Sequence, residues 1–348
     1  MIVAMTTPQD ILNDPQANYP FSTVACFDAT TGELPRRQLD RQRNRVFLER
    51  LAAAGADGLL IAASTGQGHL RTSSELQEWF ATSAEAELPN TVLMALLRPE
   101  DTPDVNAQLV ACVRESGYAV AFVRPGTDLP PAASDAQVAE NMRPVIQQIA
   151  DAGLAVGIYS IPDVSGVRLT ANAAALLVDG PAGDSIVAAK VTEANYEAST
   201  HAYFEHPQLK RLKIVQGWDP FLAQALREGG SRAGVTSGPM SLAIFQYRHI
   251  FESARRADWD EVTDAQQAVT TLFASMQDDP AKFADLQRAK FIMGLGQPLT
   301  EEISAAQVER VFDALEQLPR AADRQRLARS LNLLEDGPFS SRLRQLQD

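Results

Sequence analysis

Eight short apolar runs restrict the fold of this chain more than any other feature of its sequence. Each run has the length of a β-strand and is almost continuously hydrophobic, which is typical of parallel strands covered on both faces. The runs recur at intervals of about 20 to 36 residues. They are STVACFD (22–28), GLLIAAS (58–64), TVLMALL (91–97), AVAFVRP (119–125), AVGIYSI (155–161), IVAAKV (186–191), LKIVQGW (212–218) and RAGVTSG (232–238).

Amphipathic segments separate the runs, as the stretches at 41–55 and 73–87 illustrate. Four glycines end helical patterns just before strands, as C-terminal caps do. They are Gly55, Gly117, Gly153 and Gly229. Eight repeats of strand and helix predict a (β/α)8 TIM barrel. A doubly wound sheet is the rival fold, but eight units in one chain disfavour it.

The pattern becomes entirely helical from about residue 239 onward. The first helical segment is expected to complete the barrel, and the later ones to form a C-terminal helical extension. We therefore expect an N-terminal extension at 1–19, a barrel at 20–257 and a helical appendage at 258–348.

Charge and composition exclude several classes of function. The net charge of −13 disfavours general binding to nucleic acid or to anionic membranes. Two cysteines without CxxC spacing, no secretory signal and no apolar run of membrane-helix length predict a soluble cytoplasmic protein. Four histidines without an HxH or HExxH pattern predict no metal site. No glycine-rich nucleotide loop is present, so no cofactor is expected.

Reactive and polar residues follow the carboxyl ends of several runs, where the active sites of such barrels lie. Lys190 is the most unusual of them, because burying an ammonium group is costly and lowers its pKa. The other four lysines, including Lys290, lie in polar helical or connecting contexts. Residues at this predicted mouth are Ser64, Thr65, Gly66, Gln67, His69, Arg124, Tyr159, Lys190, Thr192, Gly217, Asp219, Thr236 and Ser237.

An amine and a phenol at one barrel mouth suit Schiff-base chemistry. A neutral Lys190 amine can add to a ketone, and the resulting iminium withdraws electrons from the neighbouring carbon–carbon bond. The Tyr159 phenol can pass protons to and from the carbinolamine. The turn at 64–66 can offer hydroxyls and backbone N–H groups to a carboxylate. An α-keto acid such as pyruvate fits this set.

Four stretches resemble the dihydrodipicolinate synthase / N-acetylneuraminate lyase family of class I aldolases. The resemblance covers roughly residues 20–275 and places each stretch at a strand end. The stretches are ASTGQGHLRTSSE (63–75), GIYSIPDVSGVRLT (157–170), IVAAKVTEANYE (186–197) and QGWDPFLAQALREGGSRAGVTSG (216–238). The family is typically tetrameric, so the resemblance implies a homotetramer.

The resemblance implies a role for each matching residue. Lys190 would form the imine with pyruvate and Tyr159 would be the general acid/base, with Thr65 as a third catalytic residue. Ser64 and Thr65 would hold the carboxylate of the keto acid. The full substrate-binding set implied is Ser64, Thr65, Gly66, Thr192, Gly217, Asp219 and Ser237.

The details are closer to the lyases than to the synthases. Val164 stands where the synthases place an arginine, which argues against dihydrodipicolinate synthesis. Pro220 stands where sialate lyases have a glutamate, and Gln67 replaces another family glutamate. After strand four, the family usually has tyrosines that join a proton relay, but this chain has Gly126 and Thr127.

The sequence therefore predicts a class I aldolase or lyase acting on a 2-keto acid of the 2-keto-3-deoxy sugar-acid type. Three alternatives stay open: a dehydratase of such an acid through the same imine, a dihydrodipicolinate synthase, and a catalytically impaired barrel that binds keto acids.

Overall fold

Eight parallel strands form a closed barrel in the computed structural model, which describes residues 22–277 and 286–347. Each strand pairs with the next one along the chain, and the last pairs with the first. The fold is thus the predicted TIM barrel. Its strands are β1 (Ser22–Ala25), β2 (Gly58–Ile61), β3 (Val92–Leu97), β4 (Val120–Val123), β5 (Ala155–Ser160), β6 (Ile186–Val191), β7 (Lys213–Gln216) and β8 (Ala233–Ser237).

Helices follow the strands and cover the outside of the barrel. They are α1 (Arg41–Ala53), α2 (Ser73–Ala84), α3 (Pro103–Glu115), α4 (Asp135–Asp151), α5 (Ala171–Val178), α6 (Ala202–Glu205), α7 (Leu222–Gly229) and α8 (Ile244–Arg255). Local sequence sets several starts, because the Asp40, Thr72 and Ser134 side chains accept hydrogen bonds from the first turns of α1, α2 and α4. A short helical turn, Pro162–Ser165, follows β5, and a π-helical turn, Glu197–His201, precedes α6.

The strands bury both of their faces. One face packs against the helices, and the other fills the barrel interior with residues such as Leu60, Phe122 and Val215. On β6, Ala189 and Val191 belong to the outer layer. Since successive side chains of a strand alternate between faces, Lys190 points into the barrel.

A helical region follows the barrel, as predicted. Its helices are α9 (Trp259–Ala274), α10 (Gln287–Ile292), α11 (Ala305–Glu316), α12 (Ala321–Leu331) and α13 (Ser340–Gln345). Buried polar contacts join this region to α8, because Gln246 Nε2 donates to Asp323 Oδ1 at 2.8 Å and Phe245 N donates to Ser330 Oγ at 3.2 Å. The boundary at residue 257 stays a prediction, and the proposed extension at 1–19 lies outside the described residues.

Candidate active site

Lys190 and Tyr159 face each other at the carboxyl ends of β6 and β5. They are register partners, and Lys190 Nζ lies 4.2 Å from the centroid of the Tyr159 ring. Lys190 is only 3% exposed. Burial lowers its pKa to about 7, although the negative charge of Asp219 opposes this shift. A large fraction of Lys190 is therefore a neutral amine near neutral pH, as a nucleophile must be.

The Tyr159 phenol is buried and keeps its proton. Burial raises its pKa, while the hydrogen bond from Thr192 Oγ1, at 3.2 Å, acts in the opposite direction. Thr192 is the first residue after β6, the strand that carries Lys190, and this position puts its hydroxyl next to the phenol. A protonated phenol here can donate to an oxyanion that forms beside Lys190.

Gly217 makes room for Lys190. A Cβ atom at Gly217 would lie 2.0 Å from Thr192 Oγ1 and 3.0 Å from Lys190 Cε. Both distances are too short for a real side chain, so the lysine stem and the threonine pack directly against the glycine backbone. This contact brings the end of β7 into the site.

The turn Ser64–Gly66 follows β2 and places a hydroxyl at the mouth. Ser64 Oγ is buried and has no hydrogen-bond partner within the described residues, so it can serve a ligand oxygen. The Gly66 N–H already donates to Ala63 O at 3.1 Å, and a Cβ at Gly66 would lie 2.4 Å from Trp79. Gly66 thus lets the turn close. The Thr65 hydroxyl lies against Gly238, beyond β8.

Asp219, Ser237 and Tyr247 form a hydrogen-bonded group at the carboxyl ends of β7 and β8. Asp219 Oδ1 accepts hydrogen bonds from Ser237 Oγ, at 2.5 Å, and from the Tyr247 hydroxyl. Burial raises the pKa of Asp219 to about 7, although the Ser237 hydrogen bond and the charge of Lys190 oppose this shift. A substantial fraction of Asp219 is therefore protonated near neutral pH.

The rim above Tyr159 carries Arg124 and His69. Arg124 is buried and paired with Glu100 through both of its terminal nitrogens, at 2.5 and 3.2 Å. Burial, with help from the charges of Arg124 and Arg98, lowers the pKa of His69 to about 4. The imidazole is therefore neutral at pH 7, and the arginine is neutralised by its glutamate.

The loop after β4 brings no phenol to the mouth. The Gly126 N–H donates to Asn141 Oδ1 at 2.8 Å, and Thr127 is exposed. The predicted departure from the family's tyrosines at this loop is therefore a real difference in side-chain chemistry.

A second lysine is buried, and here the prediction that the other lysines lie in polar contexts is wrong. Lys290 has no exposure, and its Nζ lies 2.8 Å from Asp28 Oδ1. Asp28 also pairs with buried Arg71. Burial favours a raised pKa for Asp28, but Lys290 and Arg71 outweigh it and hold the pKa below its ordinary value. Lys282 lies outside the described residues.

The C-terminal region supports the Ser64–Gly66 turn. Gln287 Nε2 donates to Thr65 O at 2.5 Å, and Gln67 Oε1 accepts a hydrogen bond from Leu299 N at 2.8 Å. We call residues 286–299 the C-terminal brace. The brace holds the turn through these two hydrogen bonds, and its Lys290 pairs with Asp28 just beyond β1.

Sequence reasoning missed three contributors to this site. Tyr247, Gln287 and Lys290 lie on α8 and α10, where the pattern indicates only amphipathic helices. Thr236 was noted at the strand end but not among the binding residues. Its neighbour Val235 packs in the outer layer, so Thr236 faces the interior, and its hydroxyl has no partner among the described residues.

Every residue of the predicted site lies at or just after the carboxyl end of a barrel strand. Direct contacts join Lys190, Tyr159, Thr192 and Gly217 in one group and Asp219 and Ser237 in another. The catalytic and binding roles of all these residues stay predictions. Across residues 22–277 and 286–347, no group of histidine, cysteine, aspartate and glutamate side chains could hold a metal ion. In the same residues, no helix is both long and apolar enough to cross a bilayer.

Comparison with curated proteins finds N-acetylneuraminate lyases. Those of Salmonella typhimurium and Salmonella newport are each 26% identical to this chain over 236 residues, which are 68% of this chain and 74% of each relative. No protein-family model matches the chain.

Solved structures share the fold. A prophage protein of the dihydrodipicolinic acid synthase family from E. coli K12, in complex with pyruvate, has a TM-score of 0.73 at 17% identity and covers 86% of this chain and 98% of its own. Dihydrodipicolinate synthase from Aquifex aeolicus has a TM-score of 0.72 at 15% identity, with 86% and 98% covered. A variant of Sulfolobus solfataricus 2-keto-3-deoxygluconate aldolase has a TM-score of 0.71 at 14% identity, with 85% and 95% covered.

Proposed function

Because this chain belongs to the dihydrodipicolinate synthase / N-acetylneuraminate lyase family, we propose that it is a class I aldolase. It cleaves or forms the bond between pyruvate and an aldehyde in a 2-keto-3-deoxy sugar acid, through a Schiff base at Lys190. One observation carries the proposal: a buried amine with a pKa of about 7 lies 4.2 Å from the ring of a protonated phenol.

The proposed reaction begins when the neutral Lys190 amine adds to the keto carbon. Tyr159 transfers protons as the carbinolamine loses water to give the iminium. Removal of the proton from the C4 hydroxyl then breaks the C3–C4 bond, which releases the aldehyde and leaves an enamine of pyruvate. Protonation and hydrolysis of the enamine return pyruvate and the free amine.

The remaining site residues position the substrate in this proposal. Ser64 and Thr65 hold the carboxylate of the keto acid, and Thr192 orients the Tyr159 phenol through its 3.2 Å hydrogen bond. Gly217, Asp219 and Ser237 line the side toward the aldehyde chain. With Lys190 and Tyr159, Thr65 is the third residue to which we assign a catalytic role, because it would hold the carboxylate of the keto acid.

The rim favours a substrate tail that is hydroxylated and uncharged. His69 is neutral at pH 7, and the charge of Arg124 is compensated by Glu100. Pro220 stands where sialate lyases have a glutamate, so sialic acid itself is disfavoured as the substrate.

Borohydride reduction in the presence of pyruvate tests the proposal. We expect a reduced three-carbon adduct on Lys190, located by peptide mass spectrometry, and no adduct in Lys190→Ala. The initial trapping rate should rise with pH and reach half its maximum near pH 7, because Lys190 is protonated below its pKa and neutral above it. A wild-type protein that gives no adduct would contradict the proposal.

A dehydratase acting through the same imine is the second candidate, favoured by Gly126 and Thr127 in place of relay tyrosines. A panel of 2-keto-3-deoxy acids separates the two reactions, since cleavage yields pyruvate and an aldehyde whereas dehydration keeps all carbons in one product. Trapping without turnover of any acid would instead indicate a barrel that only binds keto acids. Dihydrodipicolinate synthesis is disfavoured by Val164.

We also propose a homotetramer, as the family resemblance implies. Sedimentation equilibrium measures the assembly mass directly, and a monomeric mass at working concentration would contradict this assignment.

A further inference from the structure

One buried hydroxyl group inside the barrel has no part in the site described so far. Thr236 lies on β8 and has no exposed surface, and its Oγ1 atom has no hydrogen-bond partner among the described residues. Most buried polar atoms of native proteins are paired, because an unpaired one costs free energy. A buried hydroxyl without a protein partner therefore points to a ligand that pairs with it.

The direction of the Thr236 side chain follows from its neighbours on β8. Val235 packs in the outer layer, and Ser237 Oγ lies 3.0 Å from the hydroxyl of Tyr247, which reaches it from α8 outside the barrel. Successive side chains of a strand alternate between faces. Thr236 stands between these two residues and therefore points into the barrel interior, as Lys190 does on β6.

Strand β7 lies between Thr236 and Lys190 and shows how close their side chains are. Val235 pairs in register with Gln216, so continuing the register places Thr236 beside Gly217. The Lys190 side chain occupies the space at the inward face of Gly217, where an added Cβ would lie 3.0 Å from Lys190 Cε. Neighbouring strands are about 4.8 Å apart. The Thr236 side chain is therefore about one strand spacing from that of Lys190.

The Ser64–Gly66 turn lies on the other side of Thr236. Around the barrel the strands follow the order β6, β7, β8, β1 and β2, so Thr236 stands between Lys190 and this turn. The turn also reaches the end of β8, because the Thr65 hydroxyl lies against Gly238. Ser64 Oγ, like Thr236 Oγ1, is buried without a partner among the described residues. Two unpaired hydroxyls therefore lie on either side of the position proposed for the carboxylate.

We propose that Thr236 donates a hydrogen bond to the carboxylate of the keto acid, alongside Ser64 and Thr65. This inference rests on the Schiff-base function proposed above and adds a binding residue for the same substrate. The keto carbon must come within bonding distance of Lys190 Nζ, and the carboxylate is attached directly to that carbon. A hydroxyl one strand spacing from Lys190, on the side of the turn, is therefore within reach of the carboxylate.

The keto oxygen is the other acceptor that this hydroxyl could meet. In the proposed reaction that oxygen receives its proton from Tyr159. Tyr159 lies on β5, whereas Thr236 lies on β8, so the two residues approach Lys190 from opposite sides. The keto oxygen and the carboxylate point in different directions from the keto carbon. An oxygen directed at Tyr159 leaves the carboxylate for Thr236.

Thr236→Val tests the inference, because it removes the hydroxyl and keeps the branched shape of the side chain. We expect the pyruvate concentration that gives a half-maximal rate of borohydride trapping to rise about tenfold or more, since a hydrogen bond to a charged group is lost. The maximal rate at saturating pyruvate should change little, because Lys190 and Tyr159 are intact. Thr236→Ser keeps a hydroxyl and should have a half-saturating concentration close to that of the wild type.

The melting temperature without keto acid separates a binding role from a structural one. An unpaired buried hydroxyl destabilises the folded protein, so Thr236→Val should melt at or above the temperature of the wild type. A threonine that supports the fold would instead melt lower when replaced.

Thr23→Val is the matched control for this variant. Thr23 pairs in register with Thr236 and is equally buried, but its hydroxyl already contacts Met94 Sδ at 3.9 Å. Its variant should keep the half-saturating concentration of the wild type. A rise as large as that in Thr236→Val would mean that packing in the barrel interior, and not the Thr236 hydroxyl, sets the affinity.

The two proposals fail in different ways. If the wild-type protein forms no pyruvate adduct, the Schiff-base function itself fails. If it forms the adduct and Thr236→Val has an unchanged half-saturating concentration, only the role of Thr236 fails, whether or not the maximal rate falls. A Thr236→Val protein that does not fold, as judged by circular dichroism, would show that the threonine is structural and would also overturn its binding role.

Discussion

The surroundings of Lys190 lower its pKa. The same primary amine in water has a pKa of about 10.4 and is almost entirely protonated at neutral pH. In the protein, Lys190 lies on the interior face of β6, with Gly217 against its side chain and the Tyr159 ring 4.2 Å from its Nζ. The amine is no longer hydrated there, so its charged form is less stable and its pKa falls. Burial therefore favours the neutral amine that the proposed Schiff-base reaction requires.

The contact at Gly217 predicts a sharp effect of one added methyl group. In Gly217→Ala the new carbon would meet Thr192 Oγ1 at 2.0 Å and Lys190 Cε at 3.0 Å. The lysine must shift, so we expect the trapping rate with pyruvate to fall about tenfold to hundredfold. Borohydride trapping followed by mass spectrometry measures this loss.

Gly117→Ala is the control for that variant. Its added carbon meets nothing within 4 Å, but its positive φ of 74° should cost about 1 kcal/mol of folding free energy. The control should lose stability and keep activity, whereas Gly217→Ala should lose activity. Equal trapping rates in the two variants would rule out the packing role of Gly217.

Residues at strand ends could be identified from sequence, because barrel topology brings the ends of all eight strands to one mouth. Lys190, Tyr159 and Ser64 are of this kind. Tyr247 and Lys290 could not be identified from sequence, because the position of a helical residue depends on how its helix packs against the barrel. Nothing in the local sequence of α8 or α10 specifies that packing.

At the scale of elements, the C-terminal brace acts on the turn after β2. Gln287 on α10 bonds to the Thr65 carbonyl, Gln67 is bonded by Leu299, and Lys290 pairs with Asp28 just beyond β1. Two of these polar contacts hold the turn after β2, and the third holds the segment just after β1. A turn held in this way would receive the carboxylate proposed above without rearranging.

Removal of the buried amine in the brace should be costly. In Lys290→Met, Asp28 keeps Arg71 but loses one of its two buried cationic partners and the 2.8 Å hydrogen bond from it, so we expect about 1–3 kcal/mol less stability. Urea denaturation measures the change. The control Lys210→Met alters an exposed lysine and should stay within about 0.5 kcal/mol of the wild type. Equal unfolding free energies for the two variants would show that the pair is not a structural support.

The presence of each strand could be predicted from the hydrophobic pattern, but the residue at which an element ends could not. All eight apolar runs contain a strand, yet the run at 22–28 ends its strand at Ala25 and leaves Asp28 free to pair with Lys290. The glycine that terminates α7 with a positive φ is Gly230 rather than Gly229. Two adjacent glycines have the same intrinsic preference for a positive φ, so tertiary contacts decide which of them terminates the helix.

At the scale of the whole molecule, the barrel and the C-terminal helices are joined by buried polar contacts. Gln246 and Asp323 are both nearly inaccessible, and the brace reaches the mouth itself. Separating the two regions would leave these groups unpaired, which is costly in a dry environment. We propose that residues 258–348 do not unfold independently of the barrel.

Coincident unfolding transitions would follow from this coupling. We expect far-ultraviolet circular dichroism, tryptophan fluorescence and pyruvate trapping to be lost over the same range of urea concentration. Far-ultraviolet signal that disappears early, while trapping persists, would mean that the C-terminal helices form a separate unit.

The late position of the brace in the chain has a consequence for biosynthesis. When the nascent chain has left the ribosome as far as residue 277, it already contains all eight strands and both Lys190 and Tyr159. At that stage the Thr65 carbonyl lacks its hydrogen bond from Gln287, and the Asp28 carboxylate lacks its pairing with Lys290. If the turn binds a keto acid as proposed, its binding geometry would therefore be complete only after residues 286–299 have left the ribosome.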